Sequence, residues 1–180
     1  MTLQELYIKQ GARSDKGSTH DYILGYYSKE FSDKKKDKIK LMEIGVHRGP
    51  SLLLWKSWFS NSEIIGVDNE DLYEGERTYD KLIIEDAYTD AFINKFSDGY
   101  FDCIIDDGPH TLESQIISAT KWIQKIKSGG KLIIEDVQSI DWISSLENSL
   151  DKSIVSSYKT FDLRNNKSRY DDIIFEITKK

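Results

Sequence analysis

The stretch Phe101-Asp-Cys-Ile-Ile-Asp-Asp-Gly-Pro-His110 places two adjacent carboxylates and an imidazole just beyond a mostly apolar run. Carboxylates hold cations and accept hydrogen bonds, and an imidazole moves protons near neutral pH. Burying such charge is costly without a partner. The pattern recurs along the chain. Other apolar runs finish at Ile44-Gly45, Val67-Asp68, Glu85-Asp86 and Glu135-Asp136. Any one of these acids can cap a following helix. Their repetition at the ends of strands is the stronger signal, because it gathers acids at one edge of a sheet.

The elements that position these groups alternate. Strands are expected over Ile39–Gly45, Glu63–Asp68, Lys81–Asp86, Tyr100–Asp107 and Lys131–Asp136. Two more are expected over Ile154–Phe161 and Asp172–Ile177. Helices are expected over Asp21–Phe31, Pro50–Phe59, Thr89–Phe96, Thr111–Lys127 and Ser139–Leu150. The pattern is clearest in Thr111–Lys127, where Leu112, Ile116, Ala119, Ile123 and Ile126 recur at steps of three and four. Ser128-Gly-Gly130 is expected to stop that helix. Alternation of this kind implies an α/β fold with a mostly parallel sheet covered on both faces. Ligands of such sheets bind beyond the carboxyl ends of the strands.

The first of these ends reads Glu43-Ile-Gly-Val-His-Arg-Gly49. Glycine lets backbone approach a ligand closely. Asp68, at the end of the next strand, suits a pair of ribose hydroxyls, and Glu85-Asp86 suits an adenine amino group. A dinucleotide site calls for G-x-G-x-x-G around its pyrophosphate. Here Val46 and His47 stand where the second glycine belongs, and acidic Glu43 is a poor neighbour for phosphate. S-adenosylmethionine has no phosphate and carries a cationic sulfonium and an amine, so Glu43 and Asp68 suit it better. Glu43 can equally serve as a cap or satisfy backbone groups.

The segments Leu41–Asp68, Ser14–Tyr22 (SDKGSTHDY), Ile104–His110 (IIDDGPH) and Ile133–Trp142 (IIEDVQSIDW) resemble the class I S-adenosylmethionine-dependent methyltransferases. More narrowly, they are similar to the macrocin/mycinamicin O-methyltransferase group and its cephalosporin hydroxylase-named relatives. The resemblance implies a three-layer Rossmann-like fold with seven strands in the order 3-2-1-4-5-7-6, the last one antiparallel. It implies that Asp107, Glu135 and Asp136 ligate a metal and that His110 is the general base. Neighbouring strands lie about 4.8 Å apart, so carboxylates at their ends can converge on one ion. All-oxygen ligation favours magnesium, with manganese or calcium as substitutes. The expected donor site is Glu43, Gly45, Gly49, Asp68, Asp86 and Asp106. The strand pleat turns Asp106 away from Asp107, toward either the methionine part of the donor or a structural role. Asp15, Lys16 and His20 belong to a leader that either covers the donor or stays solvated.

Composition narrows the rest. The chain has 180 residues, 31% of them charged, and a net charge of -6. It is expected to form one domain over residues 1–180, with residues 1–35 as a leader and lid helix. The acidic balance disfavours nucleic acid, whose binding needs clustered Lys and Arg. No apolar run is long enough to span a membrane, and no signal-peptide pattern opens the chain, so a cytoplasmic location is expected. Cys103 is the only cysteine and is read as an inert core thiol. The expected activity is methyl transfer to the hydroxyl of a small molecule such as a saccharide or other polyol, with a homo-oligomer open. Two other readings remain: a non-catalytic S-adenosylmethionine- or nucleoside-binding module, and a nicotinamide-dependent oxidoreductase.

Overall fold

Leu41, Met42, Glu43 and Ile44 are all buried, as expected of a central parallel strand covered on both faces. That strand is β1 (Lys40–Ile44), in a computed structural model that describes residues 1–74, 77 and 79–180. With it run β2 (Glu63–Asp68), β3 (Lys81–Ile84), β4 (Phe101–Asp106), β5 (Ile126–Ile134), β6 (Val155–Asp162) and β7 (Ile173–Lys179). They form one seven-stranded sheet in the order β3-β2-β1-β4-β5-β7-β6. The pairs β2–β3, β1–β2, β1–β4 and β4–β5 are parallel, and β7 is antiparallel to both of its neighbours. This is the Rossmann-like methyltransferase fold that the resemblance implied. The strand order reverses at β1 and β4, so the crevice rule places a ligand beyond their carboxyl ends.

Strand residues alternate between two apolar cores. Met42, Ile44, Ile65 and Ile104 pack on one face with Phe92, Trp122 and Leu146. Leu41, Ile64, Cys103 and Ile105 pack on the other with Tyr27, Leu52 and Trp55. The first face is covered by helices Asp90–Ile93 and Trp142–Ser149 and by a helical run from Leu112 to Lys125. That run is capped by the Thr111 hydroxyl, which accepts from Ser114 N, and passes through a π-helical turn at Ser118–Trp122. The second face is covered by helices Leu3–Lys9 and Pro50–Trp58 and by a π-helical turn Ile23–Tyr27 that continues as Ser28–Glu30.

Several features depart from the expected elements, a short helix Arg164–Lys167 between β6 and β7 among them. Helix Leu3–Lys9 was not anticipated; a reciprocal Thr2–Glu5 capping box starts it, and it buries Leu3, Leu6 and Tyr7. A further short helix, Asp15–Ser18, lies within the supposed leader. The helix after His110 ends before Lys127, because Ile126 already pairs with Phe101 as the start of β5. Gly129, at φ 75°, lies in the irregularity that separates this pairing from the regular ladder resuming at Lys131. Among the described residues, no helix is long and apolar enough to cross a membrane.

Candidate active site

A cleft of about 1330 Å³ opens at the carboxyl ends of β1, β2 and β4, with Gly45, Gly49, Asp68, Asp86, Asp107 and His110 among its walls. Gly45 and Gly49 have φ values of 83° and 82°, the left-handed region that glycine enters without penalty. A side chain on Gly45 would collide with the Asp107 carbonyl, so the β1 and β4 ends meet backbone to backbone. Asp68 Oδ2 accepts from the backbone N–H groups of Val46 and His47, both at 2.8 Å. The second-strand acid therefore braces the glycine loop while facing the cleft. Asp86 faces it too, accepting from Tyr88 N at 2.9 Å.

Glu43 and Asp106 lie beneath the cleft rather than in its wall. Glu43 is fully buried; its Oε2 accepts from the Ser51 hydroxyl at 2.8 Å, and its Oε1 is 3.2 Å from Lys16 Nζ. Asp106 accepts from the hydroxyls of Tyr88 and Ser118, each at 2.5 Å, and from Gly108 N at 3.3 Å. Burial pushes both carboxyls above the ordinary range. The two adjacent acids thus divide: Asp106 anchors the turn from below and Asp107 faces the opening.

The remaining acids converge around His110. Its Nε2 is 3.8 Å from Asp107 Oδ1 and 3.6 Å from Asp136 Oδ2. His110 and Asp136 have φ values of 54° and 51°. Strained backbone of this kind persists only where surrounding structure enforces it, and it gathers at functional sites. Asp136 Oδ1 accepts from the Tyr22 hydroxyl at 2.5 Å. Asp107 Oδ2 lies 2.6 Å from Lys16 Nζ. Glu135 gives one oxygen to Lys16 and the other to the Tyr27 hydroxyl, the latter at 2.5 Å.

Lys16 is therefore shared by Glu43, Asp107 and Glu135, and only 1% of its side chain is exposed. Burial pulls its pKa down, but the surrounding carboxylates outweigh this and hold it well above the ordinary lysine value. One ammonium does not neutralise the whole cluster. Burial, against the pull of Lys16, pushes Glu135 up to about 8 and Asp107 well above the carboxylate range. Asp107, His110 and Asp136 each offer a ligand atom, all within 4.8 Å of one another. Two carboxylate oxygens beside an imidazole nitrogen, among carboxyls crowded enough to be held above their ordinary range, fit a divalent cation. Glu135 adjoins this set, with its oxygens turned to Lys16 and Tyr27.

Sequence reasoning did not assign Lys16, Tyr22, Tyr27, Tyr88 or Ser118 a place around these acids. Lys16 and Tyr22 carried a signal, since both fall in SDKGSTHDY. Helix Asp15–Ser18 is drawn in by the buried Lys16, so this part of the leader is packed structure. His20 lies alongside, with Nδ1 2.5 Å from Asp172 Oδ1 and its ring stacked on Tyr22 at 5.0 Å.

No family-wide sequence profile matches the chain. It is 27% identical over 135 residues to demethylmacrocin O-methyltransferase of Streptomyces fradiae, covering 70% of this chain and 34% of that protein. It is 29% identical over 126 residues to mycinamicin VI 2''-O-methyltransferase of Micromonospora griseorubida, covering 65% and 32%. The chain thus spans about a third of the length of these curated relatives. Among solved structures, MycE methyltransferase of the mycinamycin biosynthetic pathway, in complex with Mg and SAH, superposes with a TM-score of 0.75 at 21% identity. That match covers 99% of this chain and 55% of the other. A putative rRNA-methylase from Clostridium thermocellum superposes at 0.61 with 14% identity, covering 93% and 96%. The chain has the class I methyltransferase fold, and its sequence is similar to the macrocin and mycinamicin O-methyltransferase group.

Proposed function

We propose that residues 1–180 act as an S-adenosylmethionine-dependent O-methyltransferase domain that methylates a hydroxyl of a sugar or other small polyol. Residues 1–35 serve as its leader and lid, lending Tyr7, Gln10, Arg13, Ser14 and Asp15 to the cleft. A divalent cation, magnesium by preference, would be held by Asp107 and Asp136, with Glu135 joining when it releases Lys16 or Tyr27. The observation that carries the reading is the placement of His110 Nε2 between Asp107 Oδ1 and Asp136 Oδ2 at the mouth of a glycine-loop cleft. The curated relatives support it, since each is an O-methyltransferase and several names specify a sugar position. The Mg and SAH bound by the MycE methyltransferase support both groups.

The donor supplies an electrophilic methyl on sulfur, and the cation supplies polarisation of the acceptor hydroxyl. This chain's own residues do the rest. The Gly45–Gly49 turn forms one wall of the cleft, and Asp68 keeps that turn in register. Asp86 reads the nucleoside end. Asp107 and Asp136 present the oxygens that would hold the cation on the acceptor side. His110 takes the hydroxyl proton as the oxygen attacks. Such general-base help is worth about 10²–10⁴-fold. The acid cluster and the net charge of -6 disfavour a phosphate-rich acceptor.

Calorimetry tests the donor half directly. Binding of S-adenosylhomocysteine with no binding of NAD is expected, and the reverse would replace this reading with the oxidoreductase one. Transfer of labelled methyl to members of a sugar and polyol panel then tests catalysis. A protein that binds the product and transfers to none of them would be a binding module.

A further inference from the structure

The SDKGSTHDY segment has no assigned part in methyl transfer, yet it reaches the acids around His110 from two sides. Lys16 Nζ engages Asp107 through Oδ2 at 2.6 Å, and it is Oδ1 that faces His110 Nε2. The Tyr22 hydroxyl engages Asp136 through Oδ1 at 2.5 Å, and it is Oδ2 that faces His110 Nε2. Each clamp takes one oxygen of a carboxylate and leaves the other turned toward the imidazole. A carboxylate free at both oxygens would rotate about its terminal torsion, which has a broad minimum. Both clamps are buried, Lys16 and Tyr22 each being 1% exposed, so water does not compete freely for either contact.

We propose that Lys16 and Tyr22 are positioning residues that fix the rotation of the Asp107 and Asp136 carboxylates and thereby set the two oxygens presented to His110. The inference deepens the methyltransferase reading and rests on it for its catalytic meaning. The geometry does not depend on which hydroxyl is methylated. Both clamps come from one short segment, whereas the acids come from the ends of β4 and β5. The segment therefore acts as a template that registers two strand ends to each other. Lys16 also joins Glu43 beneath the glycine loop, so its clamp extends to β1.

Tyr22→Phe is the cleaner variant, because it removes one hydroxyl and keeps the ring stacked on His20. Lys16→Met is the harsher one, since it leaves buried carboxylates facing each other. Three readouts separate positioning from mere stability. Long-range proton–nitrogen spectra of the histidine rings, measured well below the melting temperature, should show the His110 resonances displaced in Tyr22→Phe. Manganese binding followed by electron paramagnetic resonance should weaken about 10–100-fold, the usual cost of losing a partner that orients a ligand. Turnover should fall at least tenfold while S-adenosylhomocysteine affinity stays within about threefold of the parent. A folded Tyr22→Phe with unmoved His110 resonances and parental manganese binding overturns the proposal. If the parent itself binds no S-adenosylhomocysteine, the methyltransferase reading falls, and the His110 spectra still decide the positioning claim.

Discussion

The backbone carbonyl of Asp107 occupies the space that a side chain on Gly45 would need. The turn after β1 and the turn after β4 are therefore one unit, and the glycine loop cannot shift without moving a candidate cation ligand. Gly45→Ala is expected to be severe for two reasons. Its φ of 83° costs a non-glycine residue about 1–3 kcal/mol, and the new methyl meets main chain rather than a flexible side chain. Thermal melts should show the loss, and S-adenosylhomocysteine titration should show at least tenfold weaker binding. Parental values in both would mean that the two strand ends move independently.

His110→Ala removes the proposed base and leaves the glycine loop unsubstituted. Turnover on an accepted polyol should drop about 10²–10⁴-fold, with donor-product affinity nearly unchanged. Steady-state kinetics beside calorimetry makes the comparison. Full turnover in the variant would assign the proton to another group.

Chelation addresses the charge surplus. Excess EDTA should abolish turnover on an accepted polyol, and added magnesium should restore it. Calcium, which accepts looser geometry, should restore less. Undiminished turnover in chelator would leave Lys16 as the cation that matters at this cluster.

Cys103 gives a test of the core. Burial pushes its thiol up to about 12, so at pH 8 roughly one part in 10⁴ is thiolate. The group titrates upward, so reactivity should rise about tenfold for each pH unit below 12 while the fold holds. Reaction with a thiol reagent at pH 8 should be slow in the native protein and fast in denaturant. Fast native labelling would show that the sheet face carrying Cys103 opens to solvent.

Much of this arrangement was legible in the sequence because parallel strands buried on both faces appear as apolar runs and end where the function begins. Gly45, Gly49, Asp68, Asp107 and His110 were found that way, and all line the cleft. The Lys16 contacts were not legible. Its partners Asp107 and Glu135 lie 91 and 119 residues away in sequence, and pattern reading is local. Helix Leu3–Lys9 was missed for a different reason. Thr2 and Glu5 form a capping box, and Leu3, Leu6 and Tyr7 carry helical spacing, but the helix has only seven residues and so shows little periodicity. The early start of β5 was hidden by the Gly129-Gly130 pair, which reads as a break and instead serves a pairing irregularity.

The long reach of the SDKGSTHDY segment also sets an order of events in folding. Lys16 meets Glu135 across 119 residues, Tyr22 meets the Asp171 carbonyl across 149, and His20 meets Asp172 across 152. Closing loops of that length costs chain entropy before any contact repays it, and non-local contacts slow folding. During synthesis the His20 contact must wait for Asp172, just before β7. The acids of β4 and β5 can therefore be enclosed only when a segment made much earlier folds back onto them.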